Sequence, residues 1–105
     1  MPASIRFRWD PQAVDCLLQL EDEGRADEAR RIVQEIRGRL GRQPGIYRVV
    51  RITGLAGPRS RRLTAVQRVY LGDRLPYLVY YRYQRADGLV HVLRIRHARQ
   101  KPIER

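Results

Sequence analysis

The stretch YYRYQRADGLVHVLRIRHAR, residues 80–99, sets five arginines and two histidines among apolar residues at strand spacing. Arg82, Arg94, Arg96 and Arg99, followed by Lys101, are residue types that grip phosphate or carboxylate oxygens, because a guanidinium donates from a planar fork and stays charged. Tyr80 beside them adds a hydroxyl that both donates and accepts. Arg61 and Arg62 close a second basic group in GPRSRR, residues 57–62, which its glycine and proline mark as an exposed loop. His97 titrates near neutrality and is the candidate for proton transfer, although a lone histidine at a strand end more commonly serves a structural hydrogen bond. Arginines on the solvent face of an antiparallel sheet also serve solubility alone.

Positioning these groups requires a hairpin. In RADGL, Ala86 and Asp87 suit the centre of a type I turn and Gly88 its left-handed closing position, predicting a three-residue loop. That loop pairs Tyr83 with His91, Arg82 with Val92, Tyr81 with Leu93, Tyr80 with Arg94 and Val79 with Ile95. One face then carries Val79, Tyr81, Leu93 and Ile95, with His91 and His97 on the same core side. The other carries Leu78, Tyr80, Arg82, Val92, Arg94 and Arg96, an open face with converging arginines. A two- or four-residue loop would set Arg94 and Arg96 beside Val79 and Tyr81 and mix charge into the core.

The rest of the chain supplies the elements that pack behind the hairpin. SIRFRW alternates Ile5, Phe7 and Trp9 with Arg6 and Arg8, a half-buried strand. Asp10 caps a helix that Pro11 opens, Trp9 stapling against Val14, with Ala13, Val14, Leu17, Leu18 and Leu20 as its apolar stripe and Gly24 as its stop. A second helix runs from Ala26 to Leu40 on Ala29, Ile32, Val33, Ile36 and Leu40, with Asp27–Arg31 and Glu35–Arg39 as outward pairs and Gly41 as terminator. IYRVVRI, LTAVQRVYL and LPYLVYYRY are strand candidates, with GDR at 72–74 a turn. The fold class is α+β: an N-terminal strand and helical hairpin packed on a twisted antiparallel sheet, one domain over residues 1–105.

Charge narrows the function. The net charge is +11. Residues 1–40 carry seven basic groups against eight acids, a net of −1, and residues 41–105 carry fifteen against three, a net of +12. Such asymmetry favours an anionic partner, nucleic acid or an acidic protein segment. Metal-ligand spacing and a glycine-rich phosphate loop are both missing from the sequence, so neither a metal nor a cofactor is expected. With no apolar run of membrane-spanning length and an N-terminus unlike a signal peptide, the expected compartment is the cytoplasm. Cys16 lies in the apolar run of the first helix and is expected as a buried thiol.

The order of elements, and in particular YYRY, a short turn and VHVLRIRHARQKP, resembles the RelE/ParE toxin superfamily of bacterial type II toxin–antitoxin modules. The helices DPQAVDCLL and EARRIVQEI resemble that family in pattern, while TAVQRVYLGDRLP is longer than its usual link. The resemblance implies a growth-inhibiting toxin neutralised by a cognate antitoxin whose acidic segment folds on binding, with operator DNA reached only through the antitoxin. ParE-like members inhibit DNA gyrase. RelE-like members cut mRNA on the ribosome without a metal. For that second activity the resemblance implies Arg82, Arg94 and Arg96 as phosphate clamps, His97 for proton transfer and Arg99 in support. The late tyrosine and lysine-rich loop of RelE-type nucleases are missing here, which puts the gyrase reading first.

Overall fold

A computed structural model of the chain describes residues 4–105. Strand β1 (Arg6–Trp9) leads into helix α1 (Pro11–Asp22), capped by Asp10, whose Oδ1 accepts from the Gln12 amide at 2.9 Å. Gly24, at φ 77°, makes the tight turn into α2 (Ala26–Arg42). That helix passes through Gly41, the expected terminator, and ends at Arg42, two residues beyond the expected last residue, Leu40. Leu18 stands 50% exposed and so lies off the stripe expected to pack. Asp27 pairs with Arg30 rather than Arg31, while Glu35 and Arg39 pair at 3.2 Å as expected.

Strands β2 (Arg48–Ile52), β3 (Thr64–Tyr70), β4 (Tyr77–Gln84) and β5 (Leu89–His97) form an antiparallel meander. The N-terminal strand joins that sheet, pairing in parallel with β5, so the order is β1-β5-β4-β3-β2 and the sheet is mixed. The α1–α2 hairpin carries the chain across one face, from the β1 edge to the β2 edge. There Ala13, Leu20, Ala29, Ile32, Ile36 and Leu40 pack against Val69, Tyr77, Val79, Tyr81, Val90, Val92 and Ile95. Two tyrosine hydroxyls pin the layers, Tyr81 donating to the Pro44 carbonyl at 2.5 Å and Tyr77 to Glu28 at 2.7 Å. Arg37 lies over the rings of Phe7 and Trp9, at 5.3 and 5.8 Å, and closes the β1 end by cation–π contact.

The hairpin register differs from the expected one in its inner half. The loop holds four residues, Arg85 to Gly88, with Gly88 left-handed as expected at φ 57°. Gln84 therefore faces Leu89, Tyr83 faces Val90, Arg82 faces His91 and Tyr81 faces Val92. A bulge between Tyr80 and Tyr81, with Leu93 as the extra residue, restores Tyr80 opposite Arg94 and Val79 opposite Ile95. The four-residue loop that would have driven charge into the core is thus compensated by one inserted residue. Val92 moves to the helix face, Leu93 to the opposite face, and His91 leaves the core side.

The opposite face is not open throughout. Val50, Ile52, Val66, Tyr80 and Leu93 form a second buried cluster, covered by Leu55, Leu78 and Ile103. Leu55 belongs to the glycine-broken loop after β2 and Ile103 to the C-terminal tail, which returns across the sheet to bridge Ile52 through Glu104. Asp10 serves two partners, the Gln12 amide and the Arg94 guanidinium at 3.2 Å. Asp10→Ala is therefore expected to cost about 1–2 kcal/mol, the upper part of the range for a lost cap, read as a lower urea midpoint at unchanged slope.

Candidate functional site

Residues directly opposed in a sheet point to one face, and so do residues two apart on one strand. The ladders therefore align two basic rows on the face away from the helices. Arg94, Tyr80, Arg68 and Arg48 are successive neighbours from β5 to β2. Arg8, His91 and Arg82 are successive neighbours from β1 to β4, nearer the hairpin loop. Arg96 lies opposite Leu78 in a third row.

The row through Tyr80 is already engaged. Arg94 donates from Nη1 to Asp10 at 3.2 Å and to the Leu93 carbonyl at 2.6 Å, and only 12% of its side chain is exposed. It ties the bulge to the start of α1. Tyr80, expected on the open surface, is 1% exposed. Its hydroxyl donates to Glu104 Oε2 at 2.7 Å, and burial, reinforced by that carboxylate, pushes its pKa far above the usual tyrosine range. Arg68 Nη1 donates to both Glu104 oxygens, at 2.6 and 2.8 Å. Burial alone would raise the Glu104 pKa, but hydrogen bonds from Arg68 and Tyr80 and the charges of Arg68 and Arg48 outweigh it and hold the carboxyl below its ordinary value. Arg96 donates to the Lys101 carbonyl at 2.7 Å.

Several exposed cations lie towards the hairpin. Arg62 and Arg82 line one shallow groove of about 460 Å³ together with Leu55, Leu63 and Thr64. Arg61, Arg62 and Arg82 are exposed, and Arg8 is exposed at the β1 edge. Arg99 and Lys101 stand in solvent beyond β5. Between Arg8 and Arg82 sits His91, whose pKa is held below the usual histidine value by partial burial and then by Arg8 and Arg82, against the opposing pull of Asp10. A neutral imidazole flanked by two guanidiniums can accept a proton next to a bound anion.

His97 is on the other side of the sheet. It lies opposite Tyr77, edge-on to that ring at 5.2 Å, and its Nδ1 accepts the Arg99 amide at 3.0 Å. It shares a cavity of about 190 Å³ with Cys16, Gln19, Glu23 and Arg25 under α1. Cys16 is partly rather than fully buried, and burial raises its pKa. His97 is thus separated by the sheet from Arg82 and Arg94, and the three are not brought together. Arg8, Arg68, His91 and Glu104 were missed by sequence reasoning. Arg8 carried a signal in its alternation with Phe7 and Trp9; His91 had none, because its face is set by the four-residue hairpin loop, where three residues were expected.

The structure is thus α+β, with the helices on one face of the sheet and a basic surface, partly occupied from within the chain, on the other. The chain belongs to the family described as ParE toxin of type II toxin-antitoxin system, parDE, whose pattern it matches over residues 7–102. It is also similar in structure to a chain of the archaeal RelE–RelB complex from Pyrococcus horikoshii, with a TM-score of 0.58 and 22% identity over 94% of this chain and 100% of that one. That likeness is one of fold. Comparison with curated proteins finds no match. Among the described residues no helix is long and apolar enough to cross a membrane, and no group of three or more acidic, histidine or cysteine side chains could hold a metal ion.

The His91 environment can be checked directly. Its NMR titration midpoint is expected below the ordinary 6.5, and Arg8→Ala is expected to move it upward. Because the folded pKa is depressed, His91 destabilises the fold as pH falls through 6.5, where the unfolded chain takes up the proton first. His91→Asn should flatten the loss of stability in that window.

Proposed function

We propose that this chain is a growth-inhibiting toxin that arrests bacterial cells by binding DNA gyrase, and that an acidic antitoxin segment neutralises it in the cytoplasm. The match of residues 7–102 to the ParE toxin family carries this reading. The separation of His97 from Arg82 and Arg94 supports it, since the arrangement that resemblance implied for mRNA cleavage is not assembled around those residues. Under this reading Arg61, Arg62 and Arg82 are contact residues, and the charge of +11 speeds encounter with an acidic surface. Operator DNA is reached only through the antitoxin.

One observation favours a second reading. His91, kept neutral between Arg8 and Arg82, offers a proton acceptor beside two phosphate-gripping groups. A metal-independent mRNA endonuclease would use it to take the 2′-hydroxyl proton while the arginines hold the scissile phosphate.

Induction in bacteria separates the two. The expected outcome is growth arrest with intact messages and a DNA-damage response, together with inhibition of gyrase supercoiling by the purified chain. The double change Arg62→Glu and Arg82→Glu should weaken that inhibition at least tenfold. New mRNA 5′ ends inside translated codons that disappear with His91→Ala would replace the gyrase reading with the nuclease one.

A further inference from the structure

Some acids and cations find no partner within the chain, and they lie on opposite faces of the sheet. The five ion pairs among the described residues take up Asp10, Asp27, Glu28, Glu35 and Glu104. Asp15, Glu21 and Asp22 of α1 belong to none of these pairs, and all three are exposed. The helix, PQAVDCLLQLED, contains no lysine or arginine. Residues three and four apart are neighbours on a helix surface, so Leu18 stands between Asp15, Glu21 and Asp22 on one outward ridge. Leu18 is also one of the few large apolar side chains left in solvent.

The complement of that ridge is the groove on the far face. The β3–β4 ladder stops at Gln67 and Tyr81, although β3 starts at Thr64 and β4 runs on to Gln84. Where the strands part, a trough of about 460 Å³ opens along Leu55, Ala56, Leu63 and Ala65. Arg62 and Arg82 also line it; both are exposed, and neither belongs to an ion pair among the described residues. Leu63, like Leu18, is a large apolar side chain in solvent. The groove thus sets arginines beside an apolar floor where the ridge sets acids beside a leucine.

Within one chain the two cannot meet, because the sheet lies between them: the helices cover one face and Arg82 belongs to the other. We infer that the groove receives the α1 ridge of a second copy of this chain. Leu18 enters the apolar trough, and Asp15 and Asp22, about 10 Å apart along the helix axis, pair with Arg62 and Arg82. Burial of Leu18 and Leu63 drives the contact, and the charges set its orientation. Each copy carries a ridge on one side and a groove on the other, so the contact is head-to-tail and adds copies without closing. Repulsion between chains of net charge +11 opposes this. At physiological ionic strength that repulsion is screened beyond about 8 Å, whereas charges in contact are not. One ridge in one groove is a small interface, and a dissociation constant on the order of 100 µM is expected. Assembly covers Arg62 and Arg82; that this withholds them from a target rests on the function proposed above, and the contact between copies does not.

The test is sedimentation velocity of the full chain at physiological ionic strength, from tenfold below to tenfold above the expected dissociation constant. The average coefficient should rise continuously with concentration, as an open series requires. Leu18→Gln, a change at an exposed position, should weaken association at least tenfold. Asp15→Arg with Asp22→Arg in one chain, and Arg62→Glu with Arg82→Glu in another, should each sediment as monomers, because ridge and groove then carry the same sign. Mixed in equal amounts, the two should associate again, since each ridge meets a groove of opposite charge; this recovery also shows that both variants are folded. Wild type that stays monomeric throughout would overturn the inference, as would association that Leu18→Gln leaves unchanged or swapped chains that stay apart when mixed. A monomeric chain whose groove takes an eight-nucleotide RNA, lost with Arg62→Glu and Arg82→Glu, would replace the second copy with a phosphate backbone. A chain that associates as expected but leaves gyrase uninhibited keeps this contact and loses only the toxin reading.

Discussion

One inserted residue in β5 governs how both faces of this sheet are used. Strand side chains alternate with period two, so a single-residue change of register exchanges the core face for the solvent face. The four-residue hairpin loop places Val90 and Val92 under the helices, but uninterrupted pairing would then carry Arg94 and Arg96 to that same side. Leu93 absorbs the mismatch as a bulge: the inner half of β5 obeys one parity, the outer half the other. Ile95 thereby packs below the helices, while Arg94 and Leu93 go to the far face.

The bulge also needs an anchor, and the charges supply it. Arg94 returns over the bulge to the Leu93 carbonyl and reaches Asp10, which is simultaneously the cap of α1. Strand β1, helix α1 and the irregular point of β5 are thus joined through one carboxylate. This partial burial of charge is tolerable because donor and acceptor are both satisfied, and among the described residues no buried side-chain polar atom lacks a partner.

The basic far face accordingly divides by occupancy. Near the β2 end, Arg68 and Tyr80 have their anion supplied by Glu104, and a second small core grows under the tail. Near the hairpin, Arg8, Arg62 and Arg82 remain in solvent on rigid strands or at a strand border, where their geometry costs a partner little to engage. The two regions share one sheet, so a ligand spanning both would be read by fixed backbone spacing rather than by flexible loops.

Much of this was legible in the chain itself. Asp10–Pro11 as a helix start, the Gly24 turn, the α2 stripe and the left-handed Gly88 are local matters of backbone geometry and helical or strand period, and each stands where the residues place it. The charge asymmetry and the resemblance of the C-terminal hairpin to RelE/ParE toxins were equally readable, and the family followed. What local sequence could not carry was parity and return. Whether loop and strand agree on a face depends on packing from both sides at once, so the bulge, the exit of His91 from the core side and the burial of Tyr80 were decided only in three dimensions. Glu104 lies 36 residues from Arg68 and 24 from Tyr80, and nothing in PIER announces it. The sequence determined the elements and their charge; only the tertiary structure decided which arginines are spent within the fold and which remain for a partner, because that depends on contacts between segments distant along the chain.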